Sequence, residues 1–399
     1  MNELNDFKQS PLLNAQFAVT DETIYVSACS YNGLYAIDIV SGRLRFIGKF
    51  LNQGNFDTFM FEVKQYGNKL VFVPGCAQEI AFYDLETKQI EEVSMEHVFS
   101  TNTIVMSAYT VVDDILYLFP AQASSIICYD MNTKDIIDVI DIADIYKRTF
   151  GMGYVALSAT TTIYRHKNQV YIPCWMHSAF MSFDLESRNI AFYQAAGCGQ
   201  GFCALCGVGD TIYALGRNGM LIQWDVCSKE VLDKKQLVAV SNRAEEYRKM
   251  VIVGEQIYLM SDGGILKLIK TDLRMQTERE GLSKEVTDKL GKESAGETIY
   301  VGCTNDEKAY CYTDKNRYFC MDLKSETVEW VRTAVYASDA LKKIIYDDTG
   351  IRGKGKVIQE TDAIDLHGLM EMVCSGKEME KRERRHVGDK IYRTILSGG

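Results

Sequence analysis

Proline is nearly absent from this chain, with 4 residues in 399, and only 25% of the side chains are charged. That composition excludes long disordered linkers. No uninterrupted apolar run approaches the length that a membrane-spanning helix requires, so no membrane span is expected. The first residues, MNELNDFKQSPLLNAQ, have neither the basic start nor the apolar centre of an export signal. A cytoplasmic location is therefore expected, with the 12 cysteines as free thiols. Basic charge is in deficit too, for the formal net charge is −10. Residues 335–399 hold 12 basic and 11 acidic side chains, so the rest of the chain carries about −11. Such a balance disfavours nucleic acid and anionic lipid as partners. Histidine numbers only 5, with no two at metal-ligand spacing, and there is no G-x-S-x-G, P-loop or H-E-x-x-H motif. No metal and no cofactor are expected, and no residue can be singled out as catalytic.

What the chain does have is a recurring turn. Ala81 to Thr87 reads AFYDLET. Related segments are LYAIDIVS at 34–41, ICYDMNT at 127–133, MSFDLES at 181–187, IQWDVCS at 222–228 and FCMDLKS at 319–325. Each is an apolar strand ending in Asp, with Ser or Thr three residues later. The Asp carboxylate can accept backbone N–H bonds in a tight turn, and the hydroxyl can do so from the other side. The full signal stands at Asp38, Asp84, Asp130, Asp184, Asp225 and Asp322. A seventh copy at Asp272 is degenerate, with Met275 in place of Ser or Thr. The intervals are 46, 46, 54, 41, 47 and 50 residues, a period that marks a repeat architecture.

A second apolar run precedes each Asp: Ile24–Val26, Leu70–Val73, Ile115–Leu118, Val170–Ile172, Ile212–Ala214, Ile257–Leu259 and Ala309–Tyr312. In the first unit four strands are expected at Gln16–Val19, Ile24–Cys29, Gly33–Ile39 and Leu44–Phe50, with Gly, Asn and Asp at the junctions. Four antiparallel strands per unit of forty to fifty residues make one blade of a β-propeller. The expected fold is all-β, a seven-bladed propeller over residues 12–334. Residues 1–11 form a lead-in, and 335–399 a small helical appendage with Ser338 capping a first short helix.

The aromatic strand followed by Asp-x-x-Ser/Thr resembles the Kelch-like and PQQ-like propeller repeats. The chain departs from the first in having a Gly-Gly pair only at Gly263-Gly264. It departs from the second in lacking most of the structural tryptophans, since only Trp175, Trp224 and Trp330 are present. The resemblance implies a divergent member of that broad group. It fixes no function, because such repeats serve enzymes, ligand binders and scaffolds alike.

Several segments invite a chemical reading. Cys203 and Cys206 form a C-x-x-C, but on an expected strand, where positions three apart face opposite ways and no second pair completes a metal site. The repeated Asp residues are read as structural. Gly151-Met-Gly153 and Gly197–Gly201 are read as tight turns between blades. The segment 141–158 is the longest connection of the regular blades, with Ile140, Ile142 and Ile145 allowing a short helical turn. Polar residues 274–291 suggest a solvated loop or short helix. Pro173-Cys174-Trp175-Met176-His177 joins the second and third strands of blade 4, on the same face as the connections between blades. Those connections vary, whereas the opposite turns repeat, and variety is what a specific site requires.

The candidate ligand-binding residues are therefore Trp175, His177, Gln200, Asn55, Asn102, Arg148, Asn242 and Arg243. The favoured expectation is a non-enzymatic propeller binding a partner protein or a small polar ligand on that face. Two alternatives stand beside it. One is an enzyme at the channel mouth, a lyase or hydrolase acting on sugars, with a faint likeness of the tail at Gly388–Tyr392 to enzymes of bacterial surface-polysaccharide assembly. The other is a structural module docking through the tail.

Overall fold

The computed structural model describes residues 16–20, 22–27, 33–42, 44–50, 60–75, 79–95, 98, 106–121, 123–157, 162–195, 201–240, 244–262, 266–280, 284–305, 307–313 and 317–331. The expected lead-in and helical appendage, Ser338 included, lie outside these residues.

The fold is a seven-bladed β-propeller, built as seven four-stranded sheets whose strands follow one another in chain order. Blade 1 comprises Gln16–Thr20, Thr23–Ser27, Gly33–Asp38 and Leu44–Lys49, within two residues of the expected bounds. Blade 2 comprises Met60–Tyr66, Lys69–Pro74, Glu79–Asp84 and Ile90–Ser94. Blade 3 comprises Met106–Val112, Ile115–Pro120, Ser125–Asp130 and Asp135–Asp141. Blade 4 comprises Tyr164–His166, Gln169–Pro173, Ala179–Asp184 and Ile190–Gln194. Blade 5 comprises Phe202–Val208, Thr211–Gly216, Met220–Asp225 and Val231–Gln236. Blade 6 comprises Tyr247–Val253, Gln256–Ser261, Leu268–Asp272 and the two-residue strand Arg279–Glu280. Blade 7 comprises Ile299–Asn305, Lys308–Thr313, Tyr318–Asp322 and Thr327–Val331. Blades 1 and 2, apart from Val73–Gly75, belong to one compact unit, and blades 3 to 7, apart from Val331, to another.

Burial explains why the second and third strands read as unbroken apolar runs. In blade 3 the second strand is buried at five consecutive positions, as is the third, so both faces of each strand are out of water. The outermost strand, Asp135–Asp141, alternates instead, with Asp135, Ile137, Val139 and Asp141 exposed. Pro74, Pro120 and Pro173 each end a second strand, where a missing N–H costs little.

The Asp turn forms as its chemistry dictates. Asp84 Oδ1 accepts the backbone N–H of Glu86 at 2.9 Å and of Thr87 at 2.8 Å. Asp130, Asp184 and Asp322 repeat this with Asn132 and Thr133, Glu186 and Ser187, and Lys324 and Ser325. The hydroxyl at Ser187 accepts the Asn189 N–H at 3.4 Å, as expected, and also donates to Asp184 Oδ1 at 2.9 Å. The residue four after Asp takes the left-handed conformation in every full copy: Gly42, Lys88, Lys134, Arg188, Lys229 and Glu326. The degenerate copy repairs itself two residues later than the motif predicts. Asp272 receives N–H bonds from Arg274, Gln276 and Thr277, and the left-handed residue is Met275.

These turns also fasten blade to blade within the larger unit. Tyr117 OH of blade 3 donates to Leu185 O of blade 4 at 3.3 Å, and Tyr213 OH of blade 5 to Leu273 O of blade 6 at 2.9 Å. Arg188 pairs with Asp138 of blade 3. The Lys229 ammonium donates to Tyr171 OH at 2.6 Å and lies 4.9–5.5 Å from the ring centres of Tyr171, Tyr193 and Trp224. A cation held among three rings is attracted by their negative faces.

Two connections are helical. α1 (Ala143–Phe150) fills the long link between blades 3 and 4, and α2 (Lys284–Glu293) the polar one between blades 6 and 7. The short turn expected around Ile140–Ile145 is thus a true helix. Ile140 belongs to the preceding strand, Ile142 is the N-cap, and the buried anchor is Tyr146.

Candidate ligand-binding face

The segment Cys174–Ser178 is tied down at its base and exposed at Met176. Cys174 N donates to Ala179 O, and Ala179 N to His177 O, closing the loop on itself. Phe202 N donates to Cys174 O at 2.9 Å, and Leu157 bridges to Cys174. Gly201 passes so close that a Cβ there would stand 2.1 Å from Trp175 O, which is why glycine occupies the position. Cys174 is buried while Met176, two residues on, is 42% exposed.

His177 is held by α1 and by the residues just beyond its end. The helix begins where Asp141 Oδ1 accepts Ala143 N–H at 2.8 Å. It stops at Gly151, whose left-handed conformation lets its N–H reach Lys147 O. That places Phe150 and Met152 on either side of the stop. The His177 ring stacks on Phe150 with centres 4.0 Å apart and planes 5° apart. Tyr146 lies 5.9 Å away and tilted. His177 Nε2 meets Met152 Sδ at 3.0 Å. Burial among these groups lowers the imidazole pKa, because the charged form loses water. The same burial raises that of Tyr146, whose hydroxyl donates to Ala156 O at 3.2 Å.

Trp175 has a separate partner. The Arg217 guanidinium lies 4.8 Å from its ring centre, and Arg217 N donates to Gly201 O. Arg217 sits in the loop between second and third strands of blade 5, so two blades contribute to one surface. Tyr154, beyond α1, is 60% exposed.

Of the candidates, Trp175 and His177 therefore share one rigid loop. Arg148 stands exposed on α1, its Nε donating to Asp144 O at 3.4 Å along its own helix. Asn55, Asn102, Gln200, Asn242 and Arg243 lie outside the described residues. Phe150, Met152 and Arg217 were not legible as site residues. The spacing of Tyr146 and Phe150, one helical turn before Gly151, was the available signal for the first.

The cysteine pair resolves into packing. Cys203 is the extra residue of a β-bulge between Phe202 and Ala204, and its one S–H has Leu215 O and Ala244 O within reach as acceptors, at 3.3 and 3.2 Å. Cys206 is also free, and burial raises its pKa. Among the described residues no group of three or more His, Cys, Asp or Glu side chains could hold a metal ion.

No protein-family model matches the chain, and no curated protein does. Solved structures do. The computationally designed protein Ika8 is similar over 82% of this chain and 90% of its own, at 13% identity and a TM-score of 0.50. PorZ of Porphyromonas gingivalis, an essential bacterial surface component of the type-IX secretion system, is similar over 81% of this chain at 12% identity and a TM-score of 0.51. The match spans 38% of the PorZ chain. BamB from Moraxella catarrhalis aligns with 76% of this chain and 83% of its own, at 11% identity and a TM-score of 0.49. At such identities the likeness speaks to the propeller fold alone.

Proposed function

We propose that this chain is a non-enzymatic binding propeller that holds a partner protein on the face bearing Trp175, Met176 and His177. The fold suits a binding or scaffold role in general. The observation that carries the finer reading is the contrast within blade 4. At one end the chain turns through Asp184-Leu185-Glu186-Ser187, the same chemistry as in the other blades. At the other it presents a tryptophan, a methionine and a histidine on a loop whose base is bonded on three sides. Aromatic, Met and Arg side chains on a preorganised scaffold are the composition of interface hot spots. Rigid presentation also lowers the ordering cost of association.

Affinity purification from the source cells, with mass spectrometry, tests this. The wild type should retain a stoichiometric protein that the Trp175→Ala, His177→Ala double variant loses while keeping its thermal midpoint within about 1–2 °C, the shift that ~1 kcal/mol would produce in a chain of this length. A partner that stays bound to a folded double variant would overturn the proposal.

A further inference from the structure

Blades 1 and 2 pack through an apolar cluster that includes Tyr25, Leu34 and Ala36 of the first with Phe72, Ala81 and Tyr83 of the second. The rings of Tyr25 and Tyr83 stand 5.7 Å apart, so the second strand of blade 1 faces the third strand of blade 2. Side chains two apart on a strand share a face. Ser27 therefore lies on the face of Tyr25, and its cross-strand partner Leu34 belongs to the same cluster. Glu79 lies on the face of Ala81 and Tyr83, along a strand whose pairing with the fourth runs without a bulge. Both stand beyond the two tyrosines toward the non-repeating end, for Ser27 closes its strand and Glu79 opens its own. Ser27 is 1% exposed and Glu79 4%. Ser27 Oγ and Glu79 Oε2 are covered and have no hydrogen-bond partner. Among the described residues no Lys, Arg or His pairs with Glu79. A buried carboxylate is strongly disfavoured unless it is paired or holds a metal ion.

We propose that Ser27 and Glu79 hold a monovalent alkali cation between blades 1 and 2. Carboxylate and hydroxyl oxygens are hard ligands and suit hard cations. No trio of His, Cys, Asp or Glu forms a metal site among the described residues, which leaves out ions of the zinc type. One carboxylate balances one positive charge, whereas a divalent ion would leave a surplus charge buried. The cover over both atoms leaves out a partner's side chain and favours a small ion. Bound there, the ion ties the two blades by charge beyond the point where the tyrosines pack. The site shares no residue with the binding face proposed above, and it stands or falls independently of that face.

Thermal midpoints of the full chain in sodium or potassium chloride, against choline chloride at the same ionic strength, test the site. An ion that binds only the folded chain stabilises it by mass action. The wild type should show a saturable rise in an alkali salt over choline. Glu79→Gln, which keeps the shape and drops the charge, should show none. Ser27→Ala should need about tenfold more cation for half the rise, the loss of a ligand contributing ~1.4 kcal/mol. Crystals soaked in rubidium chloride should give an anomalous peak between Ser27 Oγ and the Glu79 carboxylate, a reading that holds even where Glu79→Gln fails to fold. Equal midpoints of the wild type in all three salts, a rise that persists in Glu79→Gln, or rubidium bound only elsewhere would overturn the proposal. So would a wild type indifferent to cations but destabilised as pH rises, since a proton would then neutralise Glu79 in place of the ion.

Discussion

The two ends of blades 4 and 5 are made from the same strands and differ in almost every other respect. At the Asp end, Asp184 and Asp225 each gather backbone N–H groups, and the residue four later reaches across to the preceding blade. Each such contact has a counterpart elsewhere in the chain. At the other end, α1, the Cys174–Ser178 loop and the Arg217 turn have no such repetition. The strands alone do not demand a helix there, nor a stacked His177–Phe150 pair. Repetition at one end suits holding blades together, and on the function proposed above individuality at the other suits recognition.

Four substitutions break or sharpen this contrast. The largest effect is expected from Gly201→Ala, because the added methyl would meet backbone atoms of Cys174 and Trp175 that cannot swing aside. It should cost about 3 kcal/mol or more in urea unfolding and displace the Trp175 loop. Lys229→Met comes next. It removes the cation from among Tyr171, Tyr193 and Trp224, and should cost about 1–2 kcal/mol while leaving partner capture unchanged. Loss of capture there would erase the distinction between the two ends.

Asp272→Ala should cost about 1 kcal/mol, the scale of a lost capping bond. Hydrogen bonds from Thr277 and then from backbone N–H groups hold the Asp272 pKa at about 2. A depressed carboxylate stabilises the fold above its unfolded pKa, near 3.9, and that contribution is lost as pH falls through about 2. The variant should therefore show a flatter stability curve between pH 4 and 2 than the wild type. An identical acid limb in both would refute the assignment. The smallest effect belongs to His177. Its folded pKa lies below the ordinary 6.5 because of burial. The neutral ring is favoured in the fold, so stability is undiminished above pH 6.5 and falls as pH drops below it. His177→Phe should remove that slope, read by thermal midpoints from pH 7.5 to 5.

Blade count, strand limits and the Asp turns were legible because each rests on local chemistry repeated at a readable period. The second-strand tyrosines announced themselves in the same way. Their hydroxyl bonds to the next blade did not, since the acceptors are backbone carbonyls 60 or more positions away, as for Tyr117 and Tyr213. Thr277 was missed because blade 6 lengthens its turn and so moves the helper beyond the motif. Trp175 and His177 could be picked from their loop and residue types. Their partners could not, for Phe150 and Met152 come from an insertion and Arg217 from another blade. No period connects them.

The central claim is that recognition resides at the non-repeating end. Hydrogen-exchange mass spectrometry of the chain with and without its captured partner measures this directly. The account predicts new protection in 143–152, 174–178 and 216–220, and unchanged exchange in the turns 184–189 and 225–230. Protection confined to those turns, with the loops exchanging as before, would contradict it.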